Sequence, residues 1–236
     1  MSPSPLQDQI VLVVGAGSGI GAAVAREALR RGARVIAAGR HAERLHLLTG
    51  AHPLVMDISD EASIREALAQ IPRIDHLVIT AGPAVGSPKI AEADIAVAQA
   101  AFEVKFWGAL RLIQLALPRL TETGSITLTS GVLSRKFVPG GFIKSTLNAA
   151  LEALVRNLAK EIAPRRANAV SPGVTATEAY AGMAGEEREA MFRRVAQSLP
   201  AGRVGSAEDL AQAYLLAMEN EFMTGSIIDV EGGALL

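Results

Sequence analysis

Ile10-Val11-Leu12-Val13-Val14 runs directly into Gly15-Ala16-Gly17-Ser18-Gly19-Ile20-Gly21. The aliphatic run suits a strand covered on both faces, and the glycines after it allow a tight turn that leaves backbone N–H groups uncovered. A helix then extends to about Arg31 and stops at Gly32. Uncovered N–H groups at a helix N-terminus beside a strand end form an anion site, suited to the pyrophosphate of a dinucleotide. The same residues also fit a plain strand-to-helix turn, so the rest of the chain has to decide.

Along the chain, short β-branched runs alternate with longer stretches of helical period, which favours βαβ units and a parallel sheet. Further strands are expected at residues 34–38, near 54–56, at 76–80 and 125–129, from 168 onward, and at 226–230. Helices are expected from a Ser59 cap to about Gln70 and over 207–219. One long helix over 93–120 would carry Phe102, Phe106, Ala109, Leu110, Ile113 and Leu117, and another a stripe of Leu147, Leu151, Leu154, Val155, Leu158 and Ile162. Residues 176–200 read as a mobile helical insertion. With no repeat or linker, residues 1–236 are expected to form a single α/β dinucleotide-binding domain, with 176–200 as a substrate lid.

Composition narrows the function classes. The 23 basic and 24 acidic residues leave a net charge of -1, with no basic run to neutralise a polynucleotide, so neither nucleic acid nor a membrane surface is an expected partner. Zero cysteines exclude a disulfide framework, a zinc–thiolate site and thiol catalysis. His41, His46, His52 and His76 have no metal-ligand spacing and read as surface residues, so no metal is expected. No apolar run approaches the ~18 residues of a membrane span, and Met1-Ser2-Pro3-Ser4-Pro5 resembles no secretory leader, which gives a cytoplasmic expectation and a mobile start up to about Leu6.

The spacing of Gly15, Gly19 and Gly21 resembles the fingerprint of the short-chain dehydrogenase/reductase family, with Val14 where that family usually has Thr. Further matches follow in the family's order over nearly the whole chain. Asp57-Ile58 resembles the pair that meets the adenine, and Ala81-Gly82 the end of an Asn-Asn-Ala-Gly motif whose asparagines are replaced by Ile79 and Thr80. Asn168-Ala169-Val170-Ser171-Pro172-Gly173 is similar to the segment that approaches the nicotinamide, with Val174 next and Thr177 at a phosphate-contacting position. Gly202-Arg203, Gly205, Glu208, Thr224-Gly225 and Glu231-Gly232-Gly233 extend the match. The resemblance implies a Rossmann-type doubly wound parallel sheet of about seven strands, flanked by helices on both faces. It assigns cofactor contacts to Gly15, Ser18, Gly19, Ile20, Gly21, Asp57, Ile58, Ala81, Gly82, Pro172, Gly173, Val174 and Thr177. At the end of the second strand, Ala38-Gly39-Arg40-His41 offers no carboxylate for a ribose 2'-hydroxyl, whereas Arg40 suits a 2'-phosphate, so NADP(H) is the expected cofactor.

The catalytic pattern departs from the family. Its members use an Asn, a Ser, a Tyr and a Lys four residues after the Tyr. Ungapped alignment of the helix with Pro172-Gly173 puts Lys105, Gly131, Lys144 and Asn148 at those positions. A rival alignment, slid by one turn, keeps Lys144 as the family's Lys and puts Gly140 where the Tyr belongs. The candidate catalytic residues are therefore Lys144, Lys105 and Ser130, with Tyr180 on the lid in reserve. Lys144 stands first among them, since it should point where the substrate carbonyl would lie, and a partly desolvated Lys beside the nicotinamide has a lowered pKa and can donate a proton. The expected activity is NADP(H)-dependent oxidoreduction of a small carbonyl, alcohol or imine. The alternatives are a non-redox isomerase, lyase or cyclase, and a catalytically inactive dinucleotide sensor or partner subunit. The resemblance also implies a homo-oligomer, dimer or tetramer, built on the two apolar helices.

Overall fold

Along β1 (Ile10–Val14), Val11 and Val13 enter one apolar cluster and Leu12 and Val14 another, so the strand is buried on both faces and carries no polar position. The computed structural model describes residues 6–83 and 85–236. The mobility expected of residues 1–5 lies outside them. The remaining strands are β2 (Arg34–Gly39), β3 (His52–Val55), β4 (Ile74–Ile79), β5 (Leu120–Thr129), β6 (Arg166–Pro172), β7 (Thr175–Ala176), β8 (Gly205–Ser206) and β9 (Ile227–Val230). Seven of them make one sheet in the order β3-β2-β1-β4-β5-β6-β9, with every pair parallel, while β7 and β8 pair as a ribbon of their own.

Parallel neighbours need crossovers, and the helices supply them on both faces. On one face α1 (Gly19–Arg30), α2 (Ala42–Leu45) and α8 (Ala207–Glu219) pack around Val11, Val13, Val35 and Ala37. On the other, α3 (Glu61–Ala69), α5 (Gly108–Ala116) and α6 (Phe142–Glu161) cover Leu12, Val14, Leu77 and Ile126. Two further helices, α4 (Ile95–Phe102) and α7 (Gly185–Ser198), complete the set. Among the described residues no helix is long and apolar enough to cross a membrane. Strand order reverses between β1 and β4, and at such a switch point the strand ends splay to leave a ligand crevice.

Several expectations are corrected. Ser59 does not cap α3. Its amide and hydroxyl donate to Asp57 at 2.9 and 2.6 Å, and the Asp60 carboxylate takes the Ala62 N–H instead. The long helix expected over 93–120 starts at Ile95 under an Asp94 cap and widens into a π-helical turn over Glu103–Trp107. It ends before Pro118, so β5 begins at Leu120 rather than at 125.

His76 is not at the surface. It is 4% exposed in β4, between Ser125 Oγ at 2.7 Å and Gln9 Oε1, and burial pulls its pKa down to about 4, with Arg166 adding to the effect. The α6 stripe of Leu147, Leu151, Val155 and Leu158 is buried inside this chain, so those residues offer nothing to a partner.

Candidate active site

The first cleft opens where β1 ends. Gly15 adopts φ +94°, a conformation that favours glycine, and a Cβ there would meet Ala81 N and Thr80 Oγ1 at 2.6 Å. A Cβ on Gly21 would stand 2.2 Å from the Gly15 carbonyl. The turn is thus pressed against both β4 and the first turn of α1. Thr80 pins it by donating to the carbonyls of Val14 and Gly15 at 3.1 and 3.3 Å, a role that the motif comparison registered only as a departure.

The resulting cleft of about 460 Å³ is lined by Gly15, Ser18, Gly19, Ile20, Gly21, Arg40, Asp57, Ile58, Ala81, Gly82 and Thr177. Of the expected cofactor residues, Pro172, Gly173 and Val174 instead line a second cavity, which shares Pro83 with the first. The Asp57 carboxyl is held below its usual range chiefly by the Ser59 hydroxyl, with a smaller pull from Arg40. Two further features of the cleft lay outside the sequence reading. Arg44 lines the same wall as Arg40, one turn of chain further on, and neither guanidinium has a hydrogen bond or ion pair among the described residues. Glu178 reaches in from beyond β7, and its Oε2 accepts the Gly19 N–H at 2.8 Å. A carboxylate therefore already occupies the helix N-terminus where a pyrophosphate would bind. The close-packed glycines, the helix N-terminus that now holds the Glu178 carboxylate and the two guanidiniums without an ion pair among the described residues fit a phosphorylated dinucleotide.

The second cavity, about 310 Å³, brings together Lys105, Gly131, Lys144, Asn148 and Tyr180. Lys105 lies in the π-helical turn, which re-aims its side chain; such turns often mark functional sites. Gly108 follows and lets this helix close on the end of the β3 segment, since a Cβ there would meet the Ile58 carbonyl at 2.6 Å. The Lys105 Nζ donates to Asn148 Oδ1 at 2.7 Å and to the Ser130 carbonyl at 3.2 Å. Both acceptors are neutral. Desolvation, with no carboxylate to offset it, pulls the Lys105 pKa from 10.5 down to about 8. Asn148 in turn donates to the Gly131 carbonyl at 3.3 Å.

Lys144, on the first turn of α6, reaches the cavity from another side and donates to Ser87 Oγ at 3.1 Å; partial burial lowers its pKa. Ser130 is a correction. It is 4% exposed, and its hydroxyl donates at 2.7 Å to the buried Glu152, which also receives Ser134, so it does not line the cavity. The chain has two tyrosines. Tyr214 is wholly buried against β5, bonded to Thr129 Oγ1 at 2.6 Å, whereas Tyr180 lines the cavity, edge-on to Phe192.

Comparison with known proteins agrees with this architecture. A family model described as Enoyl-(Acyl carrier protein) reductase matches residues 15–234. The short-chain dehydrogenase/reductase ATR9 of Stachybotrys chlorohalonatus is 34% identical, with 98% of each chain aligned. An uncharacterized oxidoreductase of Methylorubrum extorquens is also 34% identical, over 98% of this chain and 99% of that one. Among solved structures, a small-chain dehydrogenase in complex with NADPH superposes with a TM-score of 0.87 at 43% identity, over 97% of this chain and 99% of that one. The MalC Reductase/Diels-Alderase from Malbranchea aurantiaca gives 0.90 at 27% identity, over 99% and 98%. The chain belongs to the short-chain dehydrogenase/reductase family.

Proposed function

We propose that this protein is an NADP(H)-dependent oxidoreductase of small carbonyls, alcohols or imines in which a lysine takes the place of the family's tyrosine as proton donor. The observation that carries this reading is the Lys105 amine, held by neutral partners on the wall of a cavity that adjoins the dinucleotide cleft. NADP(H), held along Gly15 to Gly21 with Arg40 and Arg44 at its 2'-phosphate, would supply or accept the hydride. Gly131, Lys144, Asn148 and Lys105 occupy the tetrad positions in the ungapped alignment, so we read the site as lacking the Asn-Ser-Tyr-Lys set. The rival alignment needs a Tyr at Gly140, where φ is +77° and a Cβ would meet the Ser87 carbonyl at 2.3 Å; this backbone favours the ungapped one.

In carbonyl reduction, the Lys105 ammonium would donate its proton to the carbonyl oxygen as that oxygen gains alkoxide character, leaving the alcohol and a neutral amine, and Asn148 and the Ser130 carbonyl hold the amine in place. Lys144 is the second candidate donor. Residues 176–200 act as the lid, since Thr177 and Glu178 line the cofactor cleft while Tyr180 lines the substrate cavity. The direct test is an NADPH oxidation screen over ketones, aldehydes and cyclic imines. Turnover of at least one class is expected. Tight NADPH binding with no turnover would instead favour a non-redox isomerase, lyase or cyclase, or an inactive sensor. The likeness to the MalC Reductase/Diels-Alderase lends that reading its support.

Because Glu178 competes for the Gly19 amide, Glu178→Gln should tighten NADPH binding about two- to fivefold in a fluorescence titration, the scale of one exposed charged contact. Unchanged or weaker affinity would mean that the carboxylate moves clear of the phosphates. A symmetric dimer or tetramer is also expected. In this structure the outward apolar residues Ile95, Val97 and Trp107, 64%, 50% and 49% exposed, are better placed than the α6 stripe to form its contact. Light scattering at micromolar concentration decides this, and a monomer would refute it.

A further inference from the structure

Among the described residues, the wall of the substrate cavity carries two amines, Lys105 and Lys144, and no carboxylate. The acidic groups on adjoining segments are committed elsewhere: Glu152 to Ser130 and Ser134, Glu178 to Gly19, and Asp229 to Arg135. Glu231 accepts the Leu235 N–H at 3.1 Å. The Lys144 ammonium is partly buried and has one neutral partner, the Ser87 hydroxyl at 3.1 Å. Around the amines the wall is apolar, with Val85, Val132, Leu133 and Leu147. Two uncompensated cations beside apolar surface lose hydration without gaining a counter-charge, and a bound anion restores that balance.

We propose that the substrate is a small apolar compound bearing a carboxylate, with Lys144 binding the carboxylate while the reacting oxygen meets Lys105. The placement of the oxygen rests on the reading of Lys105 as proton donor; the carboxylate site does not. One ammonium matches the single charge of a carboxylate, whereas a phosphate dianion would call for more donors than Lys144 offers. The cavity of about 310 Å³ is at the small end of ligand pockets, which run from ~300 to ~1,000 Å³, and the wall at Pro172, Gly173 and Val174 is expected to be shared with the nicotinamide, so the space suits a ring or short chain rather than a long acyl group.

The test is calorimetric titration of the full chain, with and without NADP+, using benzoate and its neutral isostere benzamide as probes. Benzoate should bind at least ~10-fold more tightly, about the value of one charge-assisted contact. Lys144→Met and Lys144→Gln should each bring benzoate to the level of benzamide, while Lys144→Arg keeps the preference and NADP+ affinity stays unchanged throughout. Equal binding of the two probes, no benzoate binding up to about 10 mM (where affinity is negligible), or a preference that survives Lys144→Met would overturn the proposal. A preference lost on Lys105→Met but not on Lys144→Met would move the carboxylate to Lys105 and overturn the placement. None of these readouts involves turnover. An empty NADPH oxidation screen with an intact benzoate preference would sink the redox reading and leave the carboxylate site standing.

Discussion

Lys105→Met should lower turnover of a carbonyl substrate ~100-fold or more while leaving NADPH affinity nearly unchanged, the usual scale of a lost general acid. Methionine keeps the length and apolar stem but removes the amine that now bonds Asn148 and the Ser130 carbonyl. The pH profile supplies an independent signature. The amine carries its proton below its pKa of about 8, so reduction should be fastest below that value and fall as pH rises through it, whereas alcohol oxidation should rise over the same range. Full activity in Lys105→Met, or a wild-type profile flat through pH 8, would transfer the role to Lys144 or Tyr180.

Arg40→Asp should reverse the nucleotide preference. The wild type is expected to bind NADPH at least ~10-fold more tightly than NADH, since a charge-assisted contact to the 2'-phosphate is worth ~1.5 to 3 kcal/mol. The variant places a carboxylate where it repels that phosphate and accepts from a ribose hydroxyl. Arg44 on the same wall should leave a residual attraction in Arg40→Ala, so the double variant Arg40→Ala, Arg44→Ala should lose more selectivity than either single one. Equal affinities of the wild type for the two nucleotides would remove both arginines from the argument.

What was legible in the sequence was whatever is local or periodic. A parallel strand buried on both faces must be a continuous aliphatic run, so β1, β2 and β4 could be read to within a residue or two. The strand β3 was displaced because Pro53 breaks the pattern, and it is tolerated there because β3 is an edge strand. The π-helical turn at Glu103–Trp107 was hidden, since one added residue leaves apolar spacing on either side unchanged.

Long-range contacts were beyond reach. Nothing adjacent to Lys105 reveals that it would be desolvated beside Asn148, and Glu178 meets Gly19 across 159 residues. His76 sits directly before the aliphatic run Leu77-Val78-Ile79 in β4, and that context was the signal of its burial. Arg44 was in view as a cation four residues after Arg40, in the short segment that follows β2.

The cavity wall also constrains how this chain can be related to one with a conventional arrangement, because Lys105, Gly131 and Asn148 interlock. A Cβ on Gly131 would stand 2.7 Å from the Asn148 amide nitrogen, so Gly131→Ser as an opening step makes the Asn148 side chain shift and loosens the group that holds Lys105. Asn148→Lys as an opening step sets a second ammonium where the Lys105 Nζ now finds its acceptor at 2.7 Å, a repulsion between poorly hydrated like charges. One succession escapes both obstacles: Lys105→Asn, then Asn148→Lys, then Gly131→Ser. Drift away from the present arrangement is confined to that corridor, so positions 105 and 148 should change in concert across descendants of this chain, with position 131 following and never leading.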